Sequence, residues 1–199
     1  MRIAIISDSH DNLANIKKAI DWLNNPLQPN SHAGEWCGDE EKISLLLHCG
    51  DISSQETLNE IVKTFNGEVK FVRGNADFGL QNLPEIEEIE ADSSPAPEPC
   101  RRASTLQGRQ ARYGARKIAI THYFETAKKL AEKKNPSRTS GQEYDLVFYG
   151  HTHKPWKEKL GNCRLANPGE LSGQFHKPTF AVYDTDTDNL ELKILEKLE

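Results

Sequence analysis

Five apolar runs of strand length in this chain each end in ionisable or amide side chains, and that repetition limits the possible folds more than any other feature. "RIAIISDSHDN" closes on Asp8, His10 and Asp11, "ISLLLHCGD" on Asp51, "VKFVRGN" on Asn75, "KIAITH" on His122, and "DLVFYGHTH" on His151 and His153. Amphipathic stretches of helix length separate several of these runs. In "NLANIKKAIDWL", Leu13, Ile16, Ile20 and Leu23 recur at helical spacing behind Asn12 as N-cap. In "SSQETLNEIVKTF", Leu58, Ile61, Val62 and Phe65 fall on one predicted face, and "ETAKKLAEKK" supplies a third helix. The tail "KPTFAVYDTDTDNLELKIL" alternates apolar and polar residues as an antiparallel hairpin turning near Asp188–Asn189. Strand and helix in alternation predict an α/β fold.

The 199 residues suit a single domain spanning 1–199, interrupted by two stretches without element periodicity. "NPLQPNSHAGEWCGDEEK", at about 25–42, is rich in turn formers, and about 92–112 holds "SSPAPEP" followed by an arginine-rich piece. Both are expected to be surface loop insertions. A net charge of −5 denies the chain a basic field over the whole molecule, which argues against stable nucleic-acid binding and against an anionic membrane surface. No segment approaches the ~20 apolar residues of a membrane span. The opening apolar run is interrupted by Asp8 before it reaches the length of a secretory signal core. Cys37, Cys49, Cys100 and Cys163 form no CxxC pair, so the reading is free thiols in a reducing, cytoplasmic setting.

In open α/β sheets ligands bind outside the carboxyl ends of the strands, so the five polar clusters are expected to meet at one edge. The spacings Asp-x-His and His-x-His put each pair on one side of an extended segment, where each pair could grip one ion. Carboxylate and imidazole suit divalent transition metals, and seven ligands exceed what one ion takes. Two ions about 3.5 to 4 Å apart, sharing a carboxylate, fit the number and suit phosphoryl displacement.

The set "DSHDN", "GDI", "GNAD", "TH" and "GHTH", in this order, resembles the motifs of the calcineurin-like metallophosphoesterase superfamily, and the phrasing "HCGDI…VRGNAD…GHTH…NPG" is similar to its small prokaryotic, YfcE-like phosphodiesterase branch. The resemblance implies a sandwich of two mixed β-sheets flanked by helices, with a dimetal site at the strand C-terminal edge. It implies that Asp8, His10, Asp51 and His153 hold one metal, and that Asp51, Asn75, His122 and His151 hold the other. Asp51, Asn75, Asp11 and His122 are the expected catalytic residues, with Asp11 orienting His10 or accepting from a water. The cofactors are two divalent ions, Mn²⁺ first, with Fe, Co, Ni or Zn as substitutes. The implied reaction is in-line attack of activated water on a small or nucleotide-derived phosphodiester, by a homodimer or homotetramer.

Three positions depart from the pattern. Ala76 stands where many superfamily phosphatases carry a histidine that protonates the leaving oxygen, which leaves Asp77 as the nearby acid. Tyr123 replaces a frequent glycine and Glu170 a frequent serine, and both narrow or recharge the pocket rim. Two alternatives follow: a phosphomonoesterase using another acid such as Asp77, and a non-catalytic interaction module on the same fold. His48 reads as a packed histidine rather than a ligand. Six acids between 85 and 98 face six bases between 100 and 124. They read as a self-neutralising excursion, or else Arg109 and Arg112 lean over the site to bind substrate phosphate.

Overall fold

The computed structural model describes residues 1–25, 42–91 and 115–198. Both expected insertions, together with Arg109 and Arg112, lie outside the described residues or at their margins. Strand β1 (Arg2–Ile6) leads through helix α1 (Leu13–Asn24) to β2 (Ile43–His48), and helix α2 (Gln55–Thr64) carries the chain on to β3 (Glu68–Phe71). Then come β4 (Ile86–Ala91), β5 (Arg116–Thr121), α3 (Phe124–Glu132), β6 (Leu146–Phe148), the hairpin β7 (Trp156–Leu160) and β8 (Cys163–Asn167), and the hairpin β9 (Thr179–Asp184) and β10 (Asn189–Ile194). Two mixed five-stranded sheets result, ordered β10-β9-β1-β2-β3 and β4-β5-β6-β8-β7. The strands β1, β2 and β3 are parallel in the first sheet, as are β5, β6 and β8 in the second.

The burial pattern follows from the pleat. Ile3 and Ile5 of β1 join Leu45 and Leu47 of β2 in a core shared with Ile118, Ile120, Leu146 and Phe148 of the opposite sheet. Ala4, Ile6 and Leu46 point the other way, onto Ile16, Ile20 and Leu23 of α1 and Ile61 of α2. A strand covered on both faces must be apolar throughout, which is why "AII" and "LLL" run without a polar break. At about 1.5–3 kcal/mol for each large aliphatic side chain buried, these layers dominate what holds the sheets together. The outer face of the second sheet is covered by α3 through Ala127 and Ala131, packed on Ala119, Val147 and Leu165.

Asn12 caps α1 as the sequence predicts, its side chain accepting the Asn15 N–H at 3.1 Å. One expectation needs correction, and strands β4, β7 and β8 were not predicted. Val62 is exposed, because α2 turns Thr57, Ile61 and Phe65 inward instead. The acidic stretch "IEEIEA" is strand β4, an edge strand whose glutamates pair with Lys70, Lys117 and, just ahead of it, Arg73 with Glu85. The β7–β8 hairpin also went unread, although Leu160 pairs with Cys163 across a two-residue Gly-Asn turn that is a strong hairpin signal.

Candidate metal centre

Every polar cluster named above follows a strand, and the structure brings them to one edge of the sandwich. Asp8, His10, Asp51 and His153 present ligand atoms all within 4.8 Å of one another, and Asp51, His122 and His151 form a second such group. Asn75 joins the second, its Oδ1 lying 3.0 Å from His122 Nε2. Asp51 belongs to both. Its Oδ2 lies 3.6 Å from His10 Nε2 and 3.5 Å from His122 Nε2, while its Oδ1 accepts the Ala76 N–H at 2.7 Å.

The backbone reaches this arrangement by leaving the extended region. Of the eight described non-glycine residues with positive φ, six are Asp8, His10, Asp11, Asp51, His151 and His153. The Asp-x-His and His-x-His pairs are therefore not extended segments, and His151 and His153 fall in different groups. Aspartate, asparagine and histidine are the side chains that tolerate the left-handed region best, so the residue types that bind cations also permit the turns that aim them. Glycines provide the close approaches between loops. A Cβ on Gly74 would meet Asp51 Oδ1 at 2.1 Å, and one on Gly150 would meet Ser7 Oγ at 2.0 Å.

Hydrogen bonds around the groups fix which atoms carry lone pairs. His122 Nδ1 donates to the Cys49 carbonyl at 2.8 Å and His153 Nδ1 donates to Glu170 Oε2 at 3.0 Å, so in each neutral ring Nε2 is left as an acceptor. Yet His153 Nε2 faces Asp8 Oδ1 at 3.5 Å and His10 Nε2 at 3.4 Å. His153 Nε2, Asp8 Oδ1 and His10 Nε2, turned on one another at these distances, are placed to receive a cation together. Imidazole nitrogen, carboxylate and amide oxygen together fit divalent transition ions.

Burial gives the same indication. Desolvation pushes the Asp8 carboxyl from its ordinary 3.8 up to about 7, the negative charge of Asp51 adding to the rise and His153 opposing it. Burial likewise lowers His122 below the usual imidazole value, against the pull of Asp51. Because its folded-state value is raised, Asp8 contributes stability that is fully present below its unfolded value of 3.8 and lost as pH climbs through about 7. Metal-stripped protein is therefore expected to lose thermal stability between pH 5 and 8. Added Mn²⁺ is expected to raise the melting temperature more at pH 8 than at pH 5.5, by on the order of 5–10 °C. Differential scanning fluorimetry across that range checks it, and an increment independent of pH would contradict it.

Several supporting contacts are visible only in three dimensions. Asp77 is buried with four backbone N–H groups on its carboxylate: Ile52 and Ser53 on Oδ1, both at 2.7 Å, and Asp51 (3.0 Å) and Gly74 (2.7 Å) on Oδ2. It clamps the Asp51 turn, with both carboxylate oxygens engaged as acceptors by backbone donors. Asp11 Oδ1 accepts from Ser54 Oγ at 2.6 Å and Thr57 Oγ1 at 2.7 Å, tying the β1 loop to the start of α2. His48 is buried and neutral, lowered by desolvation to about 3; it accepts the Gly50 N–H and bonds Ser9 Oγ, so it joins the first two ligand loops. Asn167 of "NPG" donates to the Gly150 carbonyl at 2.8 Å and to Thr152 Oγ1 at 3.0 Å, bracing the His151 turn.

Glu170 lies beneath the rim, fully buried. Burial by itself would raise its carboxyl, but hydrogen bonds from Ser172, His153 and the backbone of His176 and Phe175 hold it at about 2. It is an anion at every working pH, and it orients His153.

The profile of the calcineurin-like phosphoesterase superfamily domain matches residues 1–188. The chain belongs to this superfamily. It is thereby an enzyme of the class that hydrolyses phosphoric esters. A curated phosphodiesterase of Methanocaldococcus jannaschii, MJ0936, is 29% identical over 199 residues, covering 98% of this chain and 100% of its own. Among solved structures, that of an archaeal phosphodiesterase matches with a TM-score of 0.69 and 25% identity over 98% of this chain and 99% of its own. The YfcE phosphoesterase of E. coli shares the fold, with a TM-score of 0.54 and 16% identity over 98% and 100% of the two chains. These relatives set the phosphoesterase in the small prokaryotic branch, and the two mixed sheets are the sandwich expected of it. No helix among the described residues is long and apolar enough to cross a membrane.

Proposed function

We propose that this phosphoesterase is a two-metal phosphodiesterase that hydrolyses small or nucleotide-derived diesters. The observation that carries the reading is Asp51, a single carboxylate common to two groups of ligand atoms. Asp8, His10, Asp51 and His153 would hold one divalent ion, and Asp51, Asn75, His122 and His151 the other, with Mn²⁺ the first candidate among Mn, Fe, Co, Ni and Zn. Bound there, such ions supply an activated water, polarise the phosphoryl oxygens and offset the charge that builds in an in-line displacement.

The chain's own residues supply geometry. Cys49 and Glu170 fix the rings of His122 and His153. Asn75 is exposed at the mouth, where its amide can also meet a phosphoryl oxygen. The preference for diesters rests on what surrounds the leaving group. Position 76 carries only a methyl, and Asp77 is occupied by backbone donors, so the acid that a monoesterase alternative requires is missing from both. Proton donation is typically worth about 10² to 10⁴-fold, and its loss weighs most on poor leaving groups. The described cysteines, Cys49 and Cys163, are buried free thiols, which supports placement in the cytoplasm.

The test uses metal-stripped protein reloaded with Mn²⁺, comparing bis(p-nitrophenyl) phosphate with p-nitrophenyl phosphate. Metal-dependent turnover favouring the diester by about tenfold or more is expected, falling steeply as the leaving group becomes more basic. A monoester preference would overturn the diesterase assignment. Two bound metals with neither ester cleaved would instead turn attention to the interaction-module alternative.

A further inference from the structure

Two aromatic rings stand at the rim of the site without being needed to hold any ligand atom. Tyr123 meets His122 and His151 edge-on, with ring centroids 5.0 and 5.1 Å apart, yet it is 42% exposed. Phe175 meets His153 at 5.0 Å with the rings nearly perpendicular, and it is 72% exposed. One ring therefore flanks each ligand group, with Asp51 common to both groups.

Phe175 is held in this unfavourable exposure by specific bonds. Glu170 Oε1 accepts the N–H of Phe175 at 2.7 Å and also that of His176, while Oε2 accepts the Gln174 N–H at 3.0 Å. Gly173, at φ +75°, lets the chain turn into this cradle. The same carboxylate that orients His153 thus sets the ring beside it. An aromatic side chain kept in water on an anchored backbone is preorganised for a partner that arrives later. Its surroundings are imidazoles and carboxylates rather than a continuous apolar groove, which suits a planar π-system attached to a phosphate and not an acyl chain.

We propose that Tyr123 and Phe175 are specificity-determining stacking platforms that select phosphodiesters carrying nucleobases. The proposal rests on the phosphodiesterase reading for the position of the phosphate. Base stacking on an aromatic side chain corresponds to roughly 5- to 150-fold in affinity.

The experiment compares adenosine 5′-monophosphate with ribose 5-phosphate, which carries the same phosphate without the base, by calorimetric titration of Mn²⁺-loaded protein. The nucleotide is expected to bind at least about tenfold tighter. That ratio is expected to fall severalfold in Tyr123→Leu and in Phe175→Leu, and to survive in Tyr123→Phe and Phe175→Trp, which keep a stacking face. A ratio near one in the unaltered protein overturns the proposal, and so does a ratio untouched by both leucine variants. Turnover of bis(p-nitrophenyl) phosphate by the same preparation judges the diesterase reading separately. Base-dependent binding without diester cleavage would support the platforms and remove that reading.

Discussion

Asp51→Ala is expected to lower kcat/KM for an aryl phosphodiester by about 10³-fold or more and, on the proposed two-metal reading, to reduce bound Mn²⁺ from two ions per chain to at most one. The substitution removes a carboxylate whose oxygen lies near both His10 and His122, at 3.6 and 3.5 Å. Metal-ion stabilisation of a phosphoryl transition state is worth several kcal/mol, and about 4 kcal/mol is already 10³-fold. His151→Ala, which strips an exposed ligand from one group only, is expected to do less damage. Metal content by plasma emission and steady-state kinetics on the same samples check both. Undiminished metal binding in the Asp51 variant would mean that the two groups do not share a bridging ligand.

Asp77→Ala is expected to lower the melting temperature by more than 10 °C, although Asp77 touches no ligand atom of either group. Four backbone N–H donors converge on its carboxylate from Asp51, Ile52, Ser53 and Gly74. A buried donor left without an acceptor costs about 1–3 kcal/mol, and at this chain length 1 kcal/mol moves the midpoint by about 2–4 °C. Asp77→Asn is the sharper variant. Its amide oxygen can serve one pair of donors, but its NH₂ then faces the other pair, so a loss of about half that size is expected. Thermal melts of both variants, with and without Mn²⁺, distinguish this clamp from an acid that acts only in turnover. A variant that melts like the parent but turns over poorly would return Asp77 to the list of proton donors.

Strands β1 and β2 were legible from their residues because strands covered on both faces are written as apolar runs, and α1 shows its face and cap openly. The pairing of two sheets was not. Nothing in the periodicity of "KIAITH" says that it belongs to another sheet, and that step came from the motif resemblance. Strand β4 escaped because Glu87, Glu88 and Glu90 read as a charge run until Lys70 and Lys117 are seen beside them. The polar ends of the strands were legible as a site, but the reason offered for their spacing was not the one the backbone uses. Left-handed turns, not extended pleats, aim Asp8, His10, His151 and His153. Asp77, Asn167 and Glu170 lie in or beside the quoted motifs, but their supporting contacts were not legible, since a side chain bonded to distant backbone groups has no sequence period.

The loops bearing Asp8, Asp51 and Asn75 leave one sheet, and those bearing His122, His151 and His153 leave the other. Cross-sheet contacts such as His151 N–H to Asp8, at 3.1 Å to either carboxylate oxygen, are made at the seam. Docking of the sheets out of register would separate the ligand residues, three from one sheet and one from the other in the first group, two and two in the second. Cation capture would thus act as a proofreading step for assembly, and selection for turnover alone would also have policed the docking of the two halves.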